Sequence, residues 1–154
     1  MLRDIIVNTG TAAPSTYKTI DVCATGIGVV KNLTAGTVAV PAEETATDIC
    51  LLQKSRIATG CLAARSEHSD YETAFNTFEK GELCVLYTYD IGESFATDQY
   101  DLADGDEGKY VAVGTDGKWK VATVDSKYKF VKFYNDAGHK LALVEVVEAV
   151  GTNA

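Results

Sequence analysis

The chain is short of the groups that most often mark a reaction centre. It has two histidines, His68 and His139, and four cysteines, Cys23, Cys50, Cys61 and Cys84, with no C-x-x-C among them. Zinc sites and redox dithiols bring at least two ligands from one short loop. The cysteines therefore read as buried free thiols in a reducing compartment. Ser66, Ser69 and Asp70 lie close to His68, but no G-x-S-x-G elbow presents a nucleophile. Gly26-Ile27-Gly28 lacks the third glycine and the following helix of a dinucleotide loop, and reads better as two strands meeting at a bend. A basic stripe is also missing. The net charge is −8 and the pI about 4.7, which argues against a nucleic-acid partner but leaves room for a protein with a basic patch. No window approaches the ~20 apolar residues of a membrane span, and Met1–Asn8 has no long apolar core of the signal-peptide kind. No cofactor is expected.

What remains is the material of a β-protein. The 154 residues suit one domain, able to bury about 68–70% of its extended surface without a disulfide or a metal. Its organising stretch is Gly81–Val150, which holds the only tryptophan. Lys109–Val113 and Lys118–Val124 flank Gly114-Thr115-Asp116-Gly117, a hairpin signature because Asp and Gly accept the turn's positive φ. Trp119, Val121 and Thr123 share one face of the second run, with Lys118 and Lys120 on the other. Trp119 is the natural core anchor. In Lys127–Tyr134 the alternation changes phase between Phe130 and Val131, which one inserted residue, a β-bulge, would produce. Asn135-Asp136-Ala137-Gly138 is a turn by composition. Lys140–Val150 is apolar on both faces and Leu83–Tyr89 has the same character, as in strands covered on both sides.

The rest is plainer. Thr19–Asn32, Gly36–Val40 and Asp48–Ile57 read as strands. Ser69–Lys80 is the one helix expected: Ser69 and Glu72 make a capping-box pair, Tyr71, Phe75 and Phe78 fall on one face, and Gly81 stands where a terminating glycine is wanted. Ile91–Asp106 reads as a long solvated acidic loop. Its carboxylates lack the EF-hand spacing, so no bound cation is expected. Residues 1–18 read as an irregular N-terminal arm ahead of a single β-rich domain, 19–154. Ile5-Ile6-Val7 could pair as a short strand, and a neighbour or the chain's own domain would hold the arm.

The second half, from Gly81-Glu82-Leu83-Cys84-Val85-Leu86 through Gly108-Lys109-Tyr110-Val111-Ala112-Val113 to Leu141–Val147, resembles the small β-barrel capsid decoration (cement) proteins of tailed bacteriophages. The residue patterns together give a mainly β fold, a small barrel or sandwich with one short helix and an extended N-terminal arm, and the resemblance implies a small β-barrel for the second half. It implies no enzymatic activity. It also implies a place on the outer capsid surface after synthesis in the host cytoplasm, contact with the major capsid protein, and a homo-oligomer, commonly a trimer. The arm would make the partner contacts through Ile5, Ile6, Val7, Pro14 and Tyr17. Two other readings stay open. One is a carbohydrate- or ligand-binding domain of a fibre or adhesin, with Tyr87, Tyr89, Tyr100 or Trp119 stacking on sugar rings. The other is a small enzyme pairing His68 or His139 with carboxylates of Asp90–Glu107.

Overall fold

The computed structural model describes residues 1–7, 11–54, 71 and 73–153, and the side chains of all of these but 11–15 and 74. The fold is mainly β, as expected: fourteen strands and a single helical turn among the described residues. They form a closed five-stranded barrel, a seven-stranded sheet packed against it, and a two-stranded ribbon.

The barrel runs β2 (Thr11–Thr19), β5 (Thr37–Ala39), β4 (Gly28–Asn32), β6 (Cys50–Gln53) and β8 (Leu83–Thr88), closing on β2. Alternate residues of these strands, including Val29, Val38, Leu52, Cys84 and Leu86, form one buried cluster. The opposite face of β6 presents Leu51 to a second and larger cluster shared with the sheet. That is the period-2 rule acting twice: barrel strands covered inside and out.

The sheet has the order β1 (Leu2–Ile6), β9 (Ser94–Thr97), β14 (His139–Gly151), β13 (Ser126–Asp136), β11 (Tyr110–Val113), β12 (Trp119–Val121), β10 (Tyr100–Asp101). The β11–β12 hairpin forms as the Asp-Gly loop predicts, with Val113 opposite Trp119 and Gly117 at φ 79°. Trp119 is fully buried, packed on Phe95 and Tyr128 at centroid distances of 5.3 and 4.8 Å. The phase change also appears where expected: Phe130 pairs with Val144 and Lys132 with Leu143, leaving Val131 as the bulged residue. The turn is tighter than its composition suggested. Ala137 and Gly138, both at positive φ, alone join β13 to β14. β14 lies centrally between β13 and β9; Ala142, Val144 and Val146 on one face are buried, whereas Leu143 and Val147 on the other are only half-buried.

Three expectations need correction. The helix over Ser69–Lys80 is reduced to α1, Thr73–Asn76, because Thr77–Phe78 is a strand, β7, paired with β3 (Cys23–Ala24). Phe78 is fully buried in the barrel cluster, a stronger demand than local helix propensity. Gly81 does take positive φ, but in a turn closed by Glu82 N–H donating to Glu79 C=O. Ser69 and Glu72 lie outside the described residues. Secondly, Ile91–Asp106 is not a solvated loop. It contains β9, buried at every residue and hydrogen-bonded on both sides, and β10. Its Ser94 and Thr97 are polar yet buried, which hides the strand from a hydropathy reading. Thirdly, the segment read as irregular forms, in its described residues, the strands β1 and β2, paired with the chain's own β9 and with β5 and β8. The Met1 ammonium is buried against Thr25 C=O (3.0 Å) and Asp98 (2.6 Å).

Barrel and sheet meet closely. Gly28 N–H donates to Gly117 C=O at 2.8 Å, and Thr45 and Val113 exchange two backbone hydrogen bonds at 3.0 and 2.9 Å. A side chain at Gly28 would have no room, because its Cβ would stand 2.4 Å from Val113 Cγ2.

Candidate functional site

β1 is an edge strand. Among the described strands it pairs only with β9, and Ile5 is the extra residue of a bulge between Asp4 and Ile6. Edge strands with apolar outward residues are docking templates. Ile5, Ile6 and Val7 are all exposed, Ile6 at 52%. The strand is pinned by two adjacent side chains just ahead of the exposed run. Arg3 Nε donates to Asp136 Oδ2 at 2.7 Å, and the Tyr89 hydroxyl donates to Asp4. Of the five residues expected at a partner surface, these three are brought together. Tyr17 is not with them: it is half-buried and packs on the barrel cluster. Pro14 is in β2, its side chain outside the described residues.

Beside β1 lies a small polar cluster. The Tyr71 hydroxyl donates to Asp136 Oδ2 at 2.7 Å, and the Tyr71 ring stacks on His139 with centroids 3.5 Å apart. The Tyr71 hydroxyl, then Arg3, hold the Asp136 carboxyl below its usual value. Burial and this same hydrogen bond push the Tyr71 phenol up. The cluster clamps three distant parts of the chain; the imidazole contributes a face and lies exposed at the start of β14. His68 lies outside the described residues.

The acidic stretch is used structurally. Asp98 receives the Met1 ammonium. Asp106 caps its turn by accepting from Ala103 N–H and pairs with Lys109 at 2.8 Å. Asp104 pairs with Lys140 at 2.8 Å. Glu93 is 1% exposed and accepts from Asp90 N–H. Among the described residues no group of three or more His, Cys, Asp or Glu is arranged to hold a metal ion. The aromatic residues offered for sugar stacking point inward: Trp119 and Tyr89 are buried, and Tyr87 and Tyr100 pack against the shared core.

A cavity of about 740 Å³ opens where barrel and sheet meet. It collects Val30 and Lys31 of β4, Asp48 and Ile49 before β6, Tyr89 and Asp90 after β8, and Lys127 and Tyr128 of β13. Nothing in the sequence singles these residues out as a set, because they come from four separate stretches that only the tertiary fold unites.

No family model, curated protein or solved structure matches the chain. On its fold it is a small β-barrel protein carrying an appended sheet with one apolar edge strand.

Proposed function

We propose that the chain is a structural virion protein that decorates the outer surface of a phage capsid and bridges major capsid protein subunits, most simply as a trimer. The observation that carries this reading is the exposed Ile5-Ile6-Val7 run on a rigidly anchored edge strand. An apolar edge held ready for a partner favours docking by strand addition. Each such contact is weak, but on a lattice many copies act in parallel. The sequence resemblance to decoration proteins points the same way, and the net charge of −8 suits a basic partner surface.

The test uses expanded, undecorated shells of the phage that encodes the chain. Added protein should sediment with them in a fixed ratio and raise the temperature at which they rupture. Ile6→Lys should abolish both effects while leaving the melting temperature of the free protein unchanged, since charged residues are well tolerated on exposed edges. Equal rupture temperatures with and without the protein, and no co-sedimentation, would refute the assignment.

A further inference from the structure

The cavity between barrel and sheet has the composition of a ligand site. Its volume of about 740 Å³ lies within the roughly 300–1,000 Å³ range of small-molecule pockets. Two ammonium groups line it, Lys31 and Lys127, and among the described residues neither is ion-paired. Lys31 shares a side-chain hydrogen bond with Cys50, and Lys127 lies over the Tyr128 ring at 5.5 Å. Lysines without a carboxylate partner are unexpected in so acidic a protein, because carboxylates are plentiful enough to cover them.

Tyr128 is the second and independent observation. Its side chain is only 3% exposed and lines the cavity; no hydrogen bond from a described residue reaches its hydroxyl, and the hydroxyl oxygen itself stays open to the cavity. The groups that act on the phenol electrostatically are Cys50 and Asp48, both on the cavity wall. A hydroxyl at the inner end of a pocket, carried on an otherwise buried ring, is a ready donor or acceptor for what enters it. Here the folded chain leaves its hydrogen bond to be made within the cavity.

The wall chemistry narrows the class. Lys31 and Lys127 call for an anionic group. Asp48 can only accept hydrogen bonds at neutral pH, so it calls for hydroxyl donors. Tyr128 can serve either role. Val30 and Ile49 supply an apolar patch for the face of a ring. We infer that the cavity binds a small hydroxylated acid of the sugar-acid class, its carboxylate between the two lysines and its hydroxyls on Asp48 and Tyr128. The site is independent of the β1 edge and would stand if the capsid reading fell.

The test is calorimetric titration of the full chain with D-glucuronate, with D-glucose and inorganic phosphate as parallel arms. The expected result is saturable one-to-one binding of glucuronate, at least about tenfold weaker binding of each other probe, and a roughly tenfold loss on Lys127→Met, as for one charge-assisted hydrogen bond. Tyr128→Phe should weaken glucuronate to a similar degree without lowering the melting temperature, because the hydroxyl supports nothing else in the fold. Lys31→Met gives the same readout from an exposed position should Tyr128→Phe fold poorly. Absence of saturable glucuronate binding would overturn the inference. So would phosphate binding equal to glucuronate, or affinity unchanged in both lysine variants.

Discussion

Replacing Gly28 with alanine tests how barrel and sheet are joined. The added methyl would stand 2.4 Å from Val113 Cγ2 and 2.8 Å from Cγ1, well inside van der Waals contact. Neither side can step back. Gly28 is tied to Gly117, and Val113 is fixed by Thr45 on one side and the β12 ladder on the other. Gly28→Ala should therefore cost about 1–3 kcal/mol, the usual range for overpacking. For a chain of this size that lowers the melting temperature by about 2–4 °C per kcal/mol. Val113→Ala deletes two methyl groups from a fully buried position, at about 0.8 kcal/mol each plus a cavity term, or about 2 kcal/mol in all. Combined, the methyl at position 28 enters the space the valine leaves, and the double variant should fall short of the summed losses by about 1–2 kcal/mol. Urea unfolding of the four proteins, followed by Trp119 fluorescence, measures the cycle. Additivity within about 0.5 kcal/mol would show that the two residues do not touch.

Trp119 should emit at short wavelength in the native protein and shift to the red on unfolding, and Trp119→Ala should cost about 3–5 kcal/mol; native emission typical of solvated indole contradicts its burial. Burial pushes the Cys23 and Cys84 thiols up to about 11 and Cys50 up as well, so a Cys61→Ser variant should react slowly with Ellman's reagent at pH 8 until denatured; rapid native labelling would argue against that packing. The Asp136 carboxyl is held below its ordinary 3.8, so its contribution is present above that value and is lost as pH falls through the lower folded one. Asp136→Asn should accordingly flatten the acid limb of stability against pH below about 4, and an unchanged limb would count against the clamp. Deleting Val131 should cost little more than Val131→Ala, because it removes only the extra residue and leaves Phe130, Lys132 and Phe133 opposite Val144, Leu143 and Ala142 in unbroken alternation; a much larger loss on deletion would mean that the fold needs the bulge itself.

Local signals were legible where side-chain alternation and turn chemistry agree. The hairpin at Gly114–Gly117, the bulge at Val131 and the central β14 were each readable from a dozen residues or fewer. β9 was not, because a strand buried on both faces here uses Ser94 and Thr97, whose cost is met by hydrogen bonds such as Thr97 Oγ1 to Gly26 C=O, and no periodicity records that. Thr77–Phe78 failed for the opposite reason. A helical pattern was present, but Phe78 is claimed by the barrel interior. At the candidate site, exposure of Ile5–Val7 followed from their place ahead of the barrel, whereas the half-burial of Tyr17 depended on pairing with Cys84 of the neighbouring strand β8. The cavity was invisible, since Lys31, Asp48 and Tyr128 share no sequence neighbourhood.

The route of the first nineteen residues has a kinetic consequence. β1 and β2 belong to different parts of the fold, and their antiparallel partners β9 and β8 lie beyond residue 82. During synthesis β1 waits unpaired, and β2 has only its short parallel pairing of Lys18 and Thr19 with β5, until more than half the polypeptide has left the ribosome. Such distant pairing slows folding and leaves an apolar edge open to stray association in the meantime. Overexpression should thus reward low temperature, which gives closure time to outrun aggregation.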